Sequence, residues 1–122
     1  MIKTYEQTAD KVIDWAESKG IISSSSPLKQ LEKTQEELNE TKGALKKIQS
    51  LGDQQLPLST LSALPLKTKY QEEVADGIGD MLVTIIILAE LAGLNSVDCL
   101  NLAYDEIKGR KGKMVDGLFV KE

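Results

Sequence analysis

Apolar residues in this chain return at three- and four-residue steps over most of its length, a period that calls for helices. No stretch alternates apolar with polar residues for longer than Gly117 to Val120. Ile2, Tyr5, Ala9, Val12, Ile13 and Ala16 mark a first amphipathic helix that ends near Gly20. The serines 23–26 read as a loop, with Ser26 as N-cap and Pro27 in the first helical position. Leu28, Leu31, Leu38, Leu45 and Ile48 then carry an apolar stripe along a second helix of about six turns that stops before Gly52. Residues 52–66, broken by Pro57 and Pro65, read as a long connection. A third helix runs from near Lys67 to about Gly93 and is apolar on every side between Met81 and Ala89. Such a helix needs cover all round, and in a small domain a second subunit supplies it. Asn95 caps a last helix ending near Lys108, and the tail 109–122 holds enough apolar residues to pack. The expected architecture is all-α, a four-helix bundle-like fold that is oligomeric.

At 122 residues and 13.4 kDa the chain is expected to be one domain. Fifteen Lys and Arg against nineteen Asp and Glu leave a net charge of −4 and a pI near 4.9, which argues against a nucleic-acid partner. There is no histidine, so triads with imidazole, His-ligated zinc and imidazole acid–base chemistry are excluded. Cys99, the single cysteine, is expected to be a small buried hydrophobe. Met1-Ile2-Lys3 does not resemble a signal peptide, and Met81 to Ala89 is far short of a membrane span, so a soluble, cytoplasmic protein is expected. Chemistry here falls to carboxylates, lysines, hydroxyls and a metal.

The carboxylates cluster. Glu36 and Glu40 lie about 40° apart around the second helix, with Glu37 beside them. Glu73, Asp76 and Asp80 share one sector of the third helix with Gly77. Like charges one turn apart repel, so both clusters call for a compensating cation. Antiparallel packing would turn them toward one point, and an all-oxygen set suits Mg²⁺ or Mn²⁺. A plain solvated acidic face is the competing reading, but Asp, Gly77 and Gly79 are poor residues for the most apolar helix of the chain. Glycines beside acids indicate a close approach of a ligand or another backbone.

Glu36-Glu37-Leu38-Asn39-Glu40 followed by Gly79-Asp80-Met81-Leu82-Val83 resembles the paired acidic motifs of the MazG-like all-α nucleoside triphosphate pyrophosphohydrolases. Trp15-Ala16-Glu17-Ser18-Lys19-Gly20, Gln30-Leu31-Glu32-Lys33, the segment 108–113 and Asp116-Gly117-Leu118-Phe119 resemble a small single-domain branch found in phages and bacteria. The resemblance spans most of the chain outside residues 50–68. It implies Mg²⁺-dependent hydrolysis of (deoxy)nucleoside triphosphates to monophosphate and pyrophosphate. Carried onto this sequence, it implies Glu36 and Glu37 as catalytic residues and Glu37, Glu40 and Asp80 as metal ligands. The family has Glu three residues before the Asp that Asp80 matches, and here Gly77 stands there, so Asp76 is the expected substitute.

Arg110 is the only arginine and sits among Lys108, Lys111 and Lys113. The group reads either as a solvated basic tail or as a phosphate clamp, Lys108, Arg110 and Lys111 being its candidates. Trp15 is either core or a stacking platform for a base, Gln30 either an ordinary surface residue or a reader of a base edge, and Lys33 a further substrate-binding candidate. The expected partners are a nucleoside triphosphate and further copies of the chain as a homodimer or homotetramer, with no nucleic acid and no membrane. Two alternatives stay open: the same fold acting on dUTP, phosphoribosyl-ATP or an alarmone, and a non-catalytic helical oligomerisation module.

Overall fold

The computed structural model describes residues 3–54 and 69–122. Its helices are α1 (Tyr5–Ser18), α2 (Ile21–Ser24), α3 (Pro27–Gln54), α4 (Lys69–Leu91) and α5 (Ser96–Ile107), followed by strands β1 (Gly112–Val115) and β2 (Leu118–Lys121). The fold is therefore predominantly helical. The connection read over 52–66 lies mostly outside the described residues.

Local chemistry sets the helix ends. Thr4 Oγ1 accepts from the Gln7 amide while Gln7 Oε1 accepts from the Thr4 amide, a reciprocal cap opening α1. Ser26 Oγ accepts from the Lys29 amide at 3.3 Å, with Pro27 as the first residue of α3, as its sequence requires. Asn95 Oδ1 accepts from the Val97 and Asp98 amides and opens α5. Two boundaries differ from the sequence reading: Ile21–Ser24 form a short helix where a loop was expected to begin, and α3 continues through Gly52 to Gln54.

Packing centres on α3 and α4, which run antiparallel. Gln30 Nε2 donates to the Thr84 carbonyl at 3.1 Å, Thr41 abuts Gly77, and Lys47 Nζ stands 5.3 Å from the centre of the Tyr70 ring. α1 packs against α4, burying Ala9 and Ala16. The surprise is the face α3 uses. Its buried residues are Gln30, Glu37, Thr41, Ala44 and Ile48, whereas Leu31, Leu38 and Leu45 of the expected core stripe are about half exposed and Leu28 more so. The seam is set one residue around the helix from the leucines because Gly77 of α4 leaves room there for Thr41. A Cβ at Gly77 would collide with Thr41 Oγ1 and lie 3.1 Å from Thr41 Cβ. The neighbour whose close approach the glycine permits is thus a threonine of α3.

The tail pairs with itself as an antiparallel hairpin, Gly112 opposite Lys121 and Val115 opposite Leu118. Asp116 and Gly117 turn it with φ of 50° and 82°, the positive pair that a two-residue hairpin turn demands. This corrects the expectation that the tail packs, since every residue from 98 to 122 is exposed in the single chain. Cys99 is corrected with it: it is exposed, because α5 rests only lightly on α4. Among the described residues no single helix is long and apolar enough to cross a membrane.

Candidate functional site

Antiparallel pairing turns the two acid clusters toward one side of the α3–α4 seam. Glu40 from α3 and Glu73, Asp76 and Asp80 from α4 line one cleft of about 240 Å³, floored by Thr41, Ala44 and Gly77. Thr41 Oγ1 donates to the Glu37 carbonyl at 2.8 Å, which fixes its methyl and hydroxyl against α4 and holds the floor in place. Asp76, Asp80 and Glu40 are exposed and Glu73 is half-buried.

A second, larger cleft of about 720 Å³ opens where α1 and α2 meet the pair. Trp15, Lys19, Lys29, Gln30, Lys33, Glu37 and Asp80 are among its walls. Asp80 borders both clefts, so the carboxylate-lined space and the lysine- and tryptophan-lined space adjoin. Trp15 is 49 % exposed, which places its ring on the wall of this cleft instead of in the core.

Lys33 sits between two glutamates, its Nζ 3.5 Å from Glu36 and 3.6 Å from Glu37. The negative charge of Glu36, and then that of Glu37, raises the Lys33 pKa above its usual value, so its ammonium is held charged. Glu37 is buried and lines the larger cleft, whereas Glu36 is exposed and borders neither cleft. Gln30 is buried and its amide nitrogen is engaged by the Thr84 carbonyl, so this side chain ties α3 to α4 even as it lines the larger cleft.

The structure thus brings together Glu37, Glu40, Asp76 and Asp80, and beside them Trp15, Gln30 and Lys33. Lys108, Arg110 and Lys111 stay apart: they flank the exposed hairpin, Lys108 pairs with Asp105 at 3.2 Å, and none of the three lines either cleft. Lys19 and Lys29 were missed in the sequence. Lys29 stands one turn before Lys33 on the same column of α3, a spacing visible in the sequence, whereas Lys19 reaches the cleft only through the turn after α1.

The donor set is all oxygen, as a hard divalent cation requires. Among the described residues, no three acidic or cysteine side chains are gathered tightly enough to cage an ion. Magnesium keeps several waters and is held through one or two carboxylates together with substrate phosphates, so an open cleft with four carboxylates on its walls fits that ion. No protein-family model, curated protein or solved structure matches this chain.

Proposed function

We propose that this chain is a Mg²⁺-dependent nucleoside triphosphate pyrophosphohydrolase that converts (deoxy)nucleoside triphosphates to monophosphate and pyrophosphate. The observation that carries the reading is the position of Asp80, shared by a cleft of four carboxylates and a cleft of three lysines and a tryptophan. A triphosphate needs such adjacency: cations and a ring to hold it, and acids to hold its counter-ion.

In this reading Glu40, Asp76 and Asp80, with Glu73 and with Glu37 of the adjoining cleft, would hold Mg²⁺, or Mn²⁺ in its place. The ion supplies neutralisation of phosphate charge and polarisation of the attacking water. The chain's own groups do the remainder. Lys19, Lys29 and Lys33 bind phosphate oxygens, and Trp15 offers a face for the base. Water attacks the α-phosphorus, its proton passes to a carboxylate, and the bond to the oxygen bridging the α- and β-phosphates breaks with departure of pyrophosphate. Glu37 is the better placed proton acceptor because it lines the larger cleft beside Asp80, whereas Glu36 acts through Lys33. The wider reading is a cytoplasmic homo-oligomer whose helices assemble into a bundle across subunits. dUTP, phosphoribosyl-ATP and alarmones remain alternative substrates of the same site.

A non-catalytic oligomerisation module is the second reading, favoured by the many large apolar side chains left exposed in the single chain. Pyrophosphate release from a panel of nucleoside triphosphates, with Mg²⁺ and with chelator, separates the two. Turnover that requires Mg²⁺ and disappears in Asp80→Asn and Glu40→Gln, with helical circular dichroism intact, supports the enzyme. Absence of release from every triphosphate tested, or full activity in both variants, refutes it.

A further inference from the structure

Gln30 of α3 is 7 % exposed and lines the larger cleft. Its Nε2 donates to the Thr84 carbonyl at 3.1 Å. A carbonyl can only accept, and turning the amide over would set two oxygens against each other, so the Gln30 amide has a single orientation. Its Oε1 is the atom left over. No donor among the described residues reaches that oxygen, yet it is not sealed in, because among the described residues no fully buried side-chain oxygen or nitrogen lacks a partner. The open acceptor therefore belongs to the wall of the cleft that Gln30 lines. A buried amide oxygen without a donor is costly, and an N–H brought by a ligand removes that cost.

Its place along the cleft decides which part of a ligand it meets. Glu37 lies seven residues on along α3, about 10 Å, and Asp80 lies four residues from Thr84 along α4, about 6 Å. The acids are thus at one end and Gln30 at the other, as a nucleotide requires whose phosphates meet the acids' counter-ion while its base reaches Gln30. The other polar groups at this end fix no polarity: the Thr84 hydroxyl is spent on the Met81 carbonyl at 2.7 Å, and the Ser24 and Ser25 hydroxyls can either donate or accept.

We propose that Gln30 is a specificity-determining residue whose Oε1 accepts from an exocyclic amino group of the base, so that the cleft prefers cytosine over uracil and adenine over hypoxanthine. Each pair differs where an amino donor is exchanged for a carbonyl acceptor. A carbonyl there would face Oε1 oxygen to oxygen and leave both unpaired. The ring N–H of uracil or hypoxanthine is no substitute, because it is recessed beside a carbonyl oxygen that reaches a recessed acceptor first. The inference rests on the proposed function in placing a nucleotide in this cleft, and its test is binding, which needs no turnover.

Trp15, the only tryptophan and a wall of the same cleft, gives one indole N–H cross-peak in ¹H–¹⁵N spectra, and the full chain is titrated with CMP, UMP, AMP and IMP. CMP should bind roughly tenfold more tightly than UMP, and AMP than IMP, and Gln30→Met should bring each pair within about twofold. A merely structural glutamine would weaken all four nucleotides alike and leave the ratios in place. Should Gln30→Met fail to fold, the ligand is changed instead: the monophosphate of pyrimidin-2-one riboside, with hydrogen where cytosine has its amino group, is expected to bind wild type as weakly as UMP. Equal affinity within the pairs, a preference for UMP and IMP, an indole peak unmoved by all four, a ratio retained in Gln30→Met, or a pyrimidin-2-one nucleotide that binds like CMP overturns the inference. Triphosphate turnover with no base preference overturns it and leaves the proposed function standing, whereas the binding preference without any turnover supports it and removes the hydrolase.

Discussion

Gly77 is the residue at which packing and helix propensity oppose each other most clearly. In an exposed helix, Gly→Ala adds about 1 kcal/mol of stability. At Gly77 the new methyl meets Thr41, whose Cβ and Cγ2 would lie 3.1 and 3.3 Å away and whose Oγ1 would be closer still. Thr41 cannot swing aside freely, since it is branched at Cβ, 4 % exposed, and hydrogen-bonded to the Glu37 carbonyl. Overpacking of a close seam costs about 1 to 3 kcal/mol, enough to exceed the propensity gain in most of that range. Gly77→Ala is therefore expected to lower stability by up to about 2 kcal/mol net, a Tm fall of up to about 8 °C at fixed protein concentration. Gly79, two residues on in the same helix, has open space where its Cβ would be. Gly79→Ala is expected to raise Tm by about 4 °C. The assay is thermal unfolding by circular dichroism, with Gly77→Ala in a Thr41→Ala background to complete a double-mutant cycle. Removing the threonine hydroxyl and methyl should recover most of the loss. If Gly77→Ala proves as stabilising as Gly79→Ala, the close approach of α3 to α4 at this point is wrong, and with it the floor of the carboxylate cleft.

Other outcomes follow from the same geometry. Asp76→Asn removes one of four like charges lining the cleft, so it should raise Tm in chelator and shrink the Mg²⁺-induced Tm rise, as a pair of melting curves would show. Asn95→Ala removes the side chain that accepts two amide hydrogens at the start of α5 and should cost about 1 kcal/mol, read as helix loss and a lower urea midpoint. Lys33 has a raised pKa, so whatever its pairing adds is fully present below the ordinary lysine value of 10.5 and is lost as pH rises through the folded-state value. The difference in urea midpoint between wild type and Lys33→Met should therefore stay flat from neutral pH to about 9 and shrink above 10.5. A difference that grows with rising pH would contradict the assigned cause.

Much of what depends on neighbours along the chain was legible in the sequence, although the short helix Ile21–Ser24 and the continuation of α3 through Gly52 were not. Helix periodicity, the Ser26-Pro27 start, the Asn95 cap and the one-turn spacing of the acids are all local, because a helix places residues three and four apart on one side whatever surrounds it. The Asp116-Gly117 turn is just as local, a dipeptide suited to two positive φ values, but it went unread because the strands around it alternate too briefly to stand out. Tertiary structure decided what depends on a second helix. An apolar stripe on α3 says that something covers it, but the size of the residues opposite selects the seam, and Gly77 against Thr41 draws α4 to the side bearing Gln30, Glu37 and Ala44. That rotation brings Glu40 to the same cleft as Asp76 and Asp80, sets Asp80 beside Trp15 and Lys33, and leaves the leucines bare. Cys99 was misread for the same reason: apolar neighbours in sequence do not bury a side chain when the helix carrying it has little packed upon it. Periodicity fixes which residues share a side of a helix; only complementary volumes across the gap choose which side is closed.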